Sequence, residues 1–237
     1  MSWLPWISDL SLETEVQNLI AVAKKAQIQS NKNFNKNVID PFSALFEIAG
    51  FNLDFQTWEK NEITRQAQKS LQNQIGNFHQ NILGSVENWE NLKTKQVVDL
   101  KSDKNKIIAE VKNKYNTVSG GKLAELYYSL DSKVSQKSSK YKGYTAFYVA
   151  IIPKSPDRYD RPFTPSNKET GNKCPLNEQI REIDGASFYS LVTGYQDALK
   201  DLFNVLPKVI RKCFPESNEL DPSKLEHFFT IAFQEPQ

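Results

Sequence analysis

The run Tyr144 to Ile152, YTAFYVAII, is almost continuously apolar and is bounded by Gly143 and Pro153. A run of that length with flanking breakers reads as a strand buried on both faces. Such a strand requires a sheet covered by helices on each side, so the chain is read as α/β. At 237 residues it is long enough to bury a substantial core. No internal repeat or clear linker divides it, so residues 1–237 are expected to form one domain, with residues 1–83 a helical N-terminal part.

The helices are legible from apolar spacing. Residues 12–28 carry Val16, Leu19, Ile20 and Val22 at helical intervals. A short helix follows Pro41, with Phe42, Leu45, Phe46 and Ile48 as its apolar face. A longer one runs from about Thr57 to Leu83, with Ile63, Ala67, Leu71, Ile75, Phe78 and Ile82 as its buried stripe and Gly84 as its end. Leu123, Leu126, Leu130 and Val134 mark another. Ala198 to Ile210 suggest a late helix interrupted or kinked at Pro207. Ile180 to Ile183 read as a short strand, and Phe228 to Phe233 as a terminal strand or packing tail. Residues 153–178 lack periodicity, and a loop of this length is usually functional or disordered.

Two further apolar runs carry the chemistry. Val97 to Leu100 and Ile107 to Lys112 are joined by the polar link Lys101 to Lys106, which reads as a β-hairpin. A turn centred on Lys104 and Asn105 pairs position 99 with position 110. Directly opposed residues have Cβ atoms about 5 Å apart. Lys112 lies two residues past Glu110 and so projects from the same face. Asp99, Glu110 and Lys112 then converge on one patch. Paired carboxylates repel unless a cation lies between them, and their hard oxygens suit Mg²⁺. In that arrangement Asp99 and Glu110 are ligands, the Val111 carbonyl completes the inner shell, and Lys112 is the catalytic cation. The same spacing is also that of an exposed hairpin with a charge pair. Glu87 and Glu90 are candidates for an outer or second-metal carboxylate, set against a solvated surface.

Net charge is only +2, which does not argue for nucleic acid by itself. The local distribution is more telling, because Lys93, Lys95, Lys101, Lys104, Lys106, Lys112, Lys114 and Lys122 crowd this region. The two cysteines, Cys174 and Cys213, lack metal spacing and fit a reducing cytoplasm. No signal peptide or membrane-length apolar run is present. Trp3, Trp6, Trp58 and Trp89 are read as core or dimer packing.

Asp99 and Glu110-Val111-Lys112 resemble the core of the PD-(D/E)xK nuclease superfamily. HQNILG at 79–84, Trp89-Glu90, EVKNKYNT at 110–117, IDGASFY at 183–189 and Val192-Thr193-Gly194 narrow the likeness. Together they resemble type II restriction endonucleases that cut GGNCC or related sites, over about residues 75–210. Val98 stands where the superfamily pattern has proline.

The resemblance implies a mixed central sheet flanked by helices, and a homodimer cutting palindromic double-stranded DNA with Mg²⁺ in the cytoplasm. A cognate methyltransferase would be encoded nearby without being a physical partner. By motif, Asp99 and Glu110 are metal ligands and Lys112 is catalytic. Asn113, Lys114, Asn116 and Thr117 follow as contacts to phosphate or bases. Arg158 and Arg161, with Lys154 and Ser155, are the expected base-reading loop, since arginine is the commonest reader of guanine. Lys122, beside Gly121 at a helix start, is a phosphate candidate. His79, Gln80 and Glu90 are supporting residues. The alternatives are a structure-specific repair or recombination nuclease of the same fold, and a non-catalytic interaction protein.

Overall fold

A computed structural model describes residues 2–93, 98–217 and 220–233. Lys95 and Val97 lie outside them. The described elements are α1 (Asp9–Lys32), α2 (Pro41–Gly50), α3 (Phe55–Gly84), β1 (Glu90–Asn91), β2 (Leu100–Ser102), β3 (Ile107–Lys114), α4 (Leu123–Ser135), β4 (Thr145–Ile152), β5 (Asp160–Pro162), β6 (Ile180–Asp184), α5 (Gly185–Thr193), α6 (Ala198–Cys213) and α7 (Pro222–Ala232).

The strands form one mixed sheet in the order β1-β2-β3-β4-β6-β5. β1, β2 and β3 are antiparallel to one another, β3, β4 and β6 run parallel, and β5 is antiparallel to β6. β4 is central, as its composition requires. Phe147, Val149 and Ile151 face a layer built from α1, α3, α5 and α6. Ala146 and Tyr148 face the opposite layer with Tyr127, Leu130 and Val134 of α4. Alternate side chains of one strand thus enter two separate cores.

Local chemistry sets the junction between β6 and α5. Asp184 ends the strand, accepts the Ser187 N–H at 2.9 Å as an N-cap, and accepts the Tyr159 N–H at 2.7 Å. Gly185 follows because a Cβ there would lie 2.3 Å from the Ile151 carbonyl oxygen. The IDG segment is therefore a packing device that presses α5 onto β4.

α1 and α3 form an antiparallel arm. Only the end of α3, with Phe78, Ile82 and Leu83, is buried at the sheet. Ile63, Ala67, Leu71 and Ile75 are half-buried. At the far end, Phe34 and Trp58 meet edge to face at 6.3 Å.

Three expectations change. α6 runs through Pro207 without a break. The C-terminal aromatic segment is the helix α7. Asp221 caps it by accepting the Ser223 N–H, and Phe229 packs on Phe203 at 4.9 Å between ring centroids. The 153–178 segment holds β5 and a bridge between Ser166 and Lys173. The helix after Pro41 forms as α2, yet its apolar residues are not buried. Trp6, Trp58 and Trp89 are buried, as expected for core packing. Cys174 and Cys213 are free thiols. No helix among the described residues is long and apolar enough to cross a membrane.

Candidate active site

The hairpin forms in the expected register, with Leu100 opposite Ala109 and Ser102 opposite Ile107. That register places Asp99 beside Glu110, just before β2 begins. The Asp99 N–H donates to the Ala109 carbonyl at 2.9 Å. One side-chain oxygen, Oδ2, accepts the Val111 N–H at 2.8 Å. Glu110 Oε1 is paired with Lys112 Nζ at 2.5 Å. Glu110 Oε2 is buried and has no hydrogen-bond partner.

Both acids titrate above the ordinary carboxylate range. Burial raises Asp99, against the Val111 N–H and the Lys112 charge, which lower it. Burial also raises Glu110, and the neighbouring Asp99 charge adds to it. Desolvation and like-charge repulsion act together here, so the pair favours a cation strongly. The oxygens gathered here that could hold a cation are those of Asp99 and Glu110 and the Val111 carbonyl, and Glu110 Oε2 has no partner. Among the described residues no cluster of three or more His, Cys, Asp or Glu side chains forms a metal cage. A hard cation held by two carboxylates and completed by waters and phosphate fits this site better than one enclosed by protein.

Gln80 of α3 joins the centre by donating from Nε2 to the Val111 carbonyl at 3.2 Å. Past Lys112, α3 and the end of β3 bound a polar groove of about 320 Å³. Lys112, Asn113, Lys114, Asn116 and Thr117 line one wall, and Gln72, Asn73, Asn77 and Gln80 line the other. Thr117 also shapes the turn that ends the strand, its Oγ1 accepting the Lys114 N–H at 3.3 Å. Four expected contact residues are thus gathered beside the trio. Gln72, Asn73 and Asn77 were missed. Their signal is the amide stripe at 72, 73, 77 and 80, with Gly76 at its centre, on the face of α3 away from its apolar residues.

Other expected residues are placed differently. Arg158 is half-buried, donating to Ser190 Oγ at 3.4 Å and to the Gln196 carbonyl at 3.1 Å. These bonds tie its guanidinium to the α5–α6 junction. Arg161 pairs with Glu182 at 2.6 Å and lies over the Tyr159 ring at 4.9 Å. The register Glu110, Tyr148, Glu182, Arg161 makes one row across four strands of the sheet. Lys154 and Ser155 are exposed just past β4, at the end of the sheet where Lys114 leaves β3. Lys122 is exposed at the N-cap of α4.

His79 is a packing residue. Its Nδ1 lies 2.8 Å from the Tyr189 hydroxyl, and burial lowers its pKa to about 4. Glu90 is on the edge strand β1, where Lys101 bridges it at 3.1 Å and Asp103 at 3.0 Å. That bridge ties β1 to the hairpin through Glu90. Lys101 and Lys106 also belong to the turn end, Lys106 lying over the Tyr144 ring. Lys101 and Lys106 thus lie at the turn end of the hairpin, away from Lys112 and Lys114. Glu87 is exposed.

A mixed α/β sheet with an acid pair and a lysine at one strand end, beside a polar groove, is the arrangement of a phosphodiester-cutting hydrolase. The family model described as Eco47II restriction endonuclease matches residues 4–215. The chain is 52% identical to the type II restriction enzyme Eco47II of Escherichia coli over 216 residues, 91% of this chain and 90% of that one. It is 31% identical to the type II restriction enzyme Sau96I of Staphylococcus aureus over 210 residues, 86% and 78% of the two chains. The chain belongs to the Eco47II restriction endonuclease family and is a type II, site-specific deoxyribonuclease.

Proposed function

We propose that the protein hydrolyses phosphodiester bonds of palindromic double-stranded DNA at a GGNCC-like site, with Mg²⁺, as a cytoplasmic homodimer in a restriction–modification system. The DNA methyltransferase of that system would be encoded nearby and would not be a physical partner. Residues 1–237 act as one domain, a reading supported by the core that joins α1 and α3 to the sheet.

The observation that carries the reading is the buried Asp99–Glu110 pair, with one Glu110 oxygen unpartnered and Lys112 on the other. Asp99, Glu110 and the Val111 carbonyl would hold the cation. A divalent ion bound there would supply a lowered pKa for water and a Lewis acid for a phosphate oxygen. Lys112 orients the attacking water and stabilises negative charge as it develops on the phosphate. The Val111 N–H holds Asp99 in place, and Gln80 holds the Val111 carbonyl. The amides and lysines of the groove bind the DNA strand that enters the site. Lys114 and Lys154 suit phosphates, and the Asn and Gln side chains suit base edges and sugar-phosphate oxygens. Arg161 reads bases only by leaving Glu182 for guanine.

Run-off sequencing of plasmid digested with Mg²⁺ tests the reading. Cuts at one fixed palindrome are expected. Scattered cuts, or cutting confined to branched DNA, overturn it.

A further inference from the structure

Helix α2 turns its apolar face away from the rest of the described chain. Phe42, Leu45 and Phe46, at helical spacing, are 71%, 66% and 76% exposed. Val38 before them is fully exposed, and Phe51 and Phe55 after them are 71% and 61% exposed. With each large aromatic contributing well over 100 Å², the whole-residue exposures of Val38, Phe42, Leu45, Phe46, Phe51 and Phe55 sum to roughly 800 Å², backbone included. The largest patch on a monomer is ordinarily about 300–600 Å². A standard interface takes about 800 Å² from each partner.

The chemistry of the segment says what covers it. Residues 37–59 contain no lysine or arginine, and hold Asp40, Glu47, Asp54 and Glu59. A DNA phosphate chain finds no cation there. Asp40 and Asp54 cap the starts of α2 and α3. Glu47 turns inward, accepting the Trp58 indole N–H at 3.0 Å and the Ser43 hydroxyl at 2.8 Å. The outward residues of α2 itself are therefore uncharged and apolar, with the exposed acids Asp40 and Asp54 confined to the two ends of the segment.

We propose that α2, with Val38, Phe51 and Phe55 around it, is the contact by which two copies of this chain associate. This rests on the homodimer reading and locates its interface. Each chain carries one acid–lysine trio, so two copies supply one centre for each strand of a palindrome. α2 sits at the far end of the α1–α3 arm. Trp58 to Gln80 spans about 30 Å at 1.5 Å per residue, so an α2 contact leaves both grooves open to DNA.

The test is sedimentation of the full chain at micromolar concentration, beside the double variant Phe42→Asp/Phe46→Asp. The parent is expected to be a dimer. The variant is expected to be a monomer with unchanged circular dichroism, its association weakened by about 100-fold or more, and to nick plasmid before linearising it. A Phe46→Cys chain is expected to form a disulfide-linked dimer on mild oxidation where the parent does not. If the parent is a dimer and both variants behave like it, α2 is not the interface and the homodimer reading stands. If the parent is monomeric with and without duplex DNA, the homodimer reading falls as well. Should the charged variant fail to fold, the Phe46→Cys result decides.

Discussion

Asp99 Oδ2 accepts the backbone N–H of Val111 at 2.8 Å, so the first acid is tied to the strand that carries the second. The same Val111 residue receives Gln80 of α3 on its carbonyl. One peptide segment thus positions both acids and links them to the groove wall.

Removing either catalytic partner should stop cutting. Glu110→Ala and Lys112→Ala are each expected to lower the rate of plasmid cleavage by about 10³-fold or more, with duplex binding retained. Gel-shift binding and cleavage time courses measure the two effects separately. A Glu110→Ala protein that cuts normally would remove the trio from the mechanism.

Gln80→Leu keeps the size of the side chain and loses its donor. The Val111 carbonyl is then held less firmly, and a loss of about 10- to 100-fold in kcat or in Mg²⁺ affinity is expected. Titration of Mg²⁺ against initial rate separates these. Unchanged kinetics would show that the bond at 3.2 Å is incidental.

Lys114→Ala should weaken binding evenly across sequences. The slope of log affinity against log salt concentration is expected to fall by about one, because one phosphate contact is lost. A change confined to the cognate site would instead make Lys114 a base reader.

Gly185→Ala is expected to destabilise the fold by about 2–4 kcal/mol, since its Cβ would meet the Ile151 carbonyl at 2.3 Å. Thermal unfolding followed by circular dichroism measures this. A melt equal to that of the parent would show that β4 and α5 separate without strain.

His79 should make stability depend on acid. Its pKa is lowered from 6.5 to about 4 by burial, so the folded chain holds the neutral ring while the unfolded chain takes up a proton. Stability is then whole above pH 6.5, and declines as pH falls from 6.5 toward 4, by up to about 3 kcal/mol. Urea unfolding at several pH values should show a shallower decline in His79→Gln.

The hairpin was legible because its determinants are local. Turn length and strand alternation together put Asp99 beside Glu110, and both lie within twelve residues of chain. β4 was legible because a run with no polar face has only one place in a sheet. The C-terminal aromatics were not, since a short apolar run suits strand or helix alike, and the Asp221 cap with packing on Phe203 decided for helix. The bonds of Arg158 were not legible because its acceptors, Ser190 and Gln196, lie more than thirty residues away. The exposure of α2 was not legible because periodicity reports an apolar face without reporting what covers it.

The order of residues thus determined the strand register, the trio and the family likeness, all set by neighbours along the chain. Tertiary structure alone decided that Gln72, Asn73 and Asn77 face Asn113 and Asn116 across one groove, that Glu90 belongs to Lys101, and that α2 stays uncovered. The physical reason is range. Hydrogen-bond geometry along a strand is set by adjacent residues, whereas the partner a side chain meets and the water it loses depend on which distant helix packs against it.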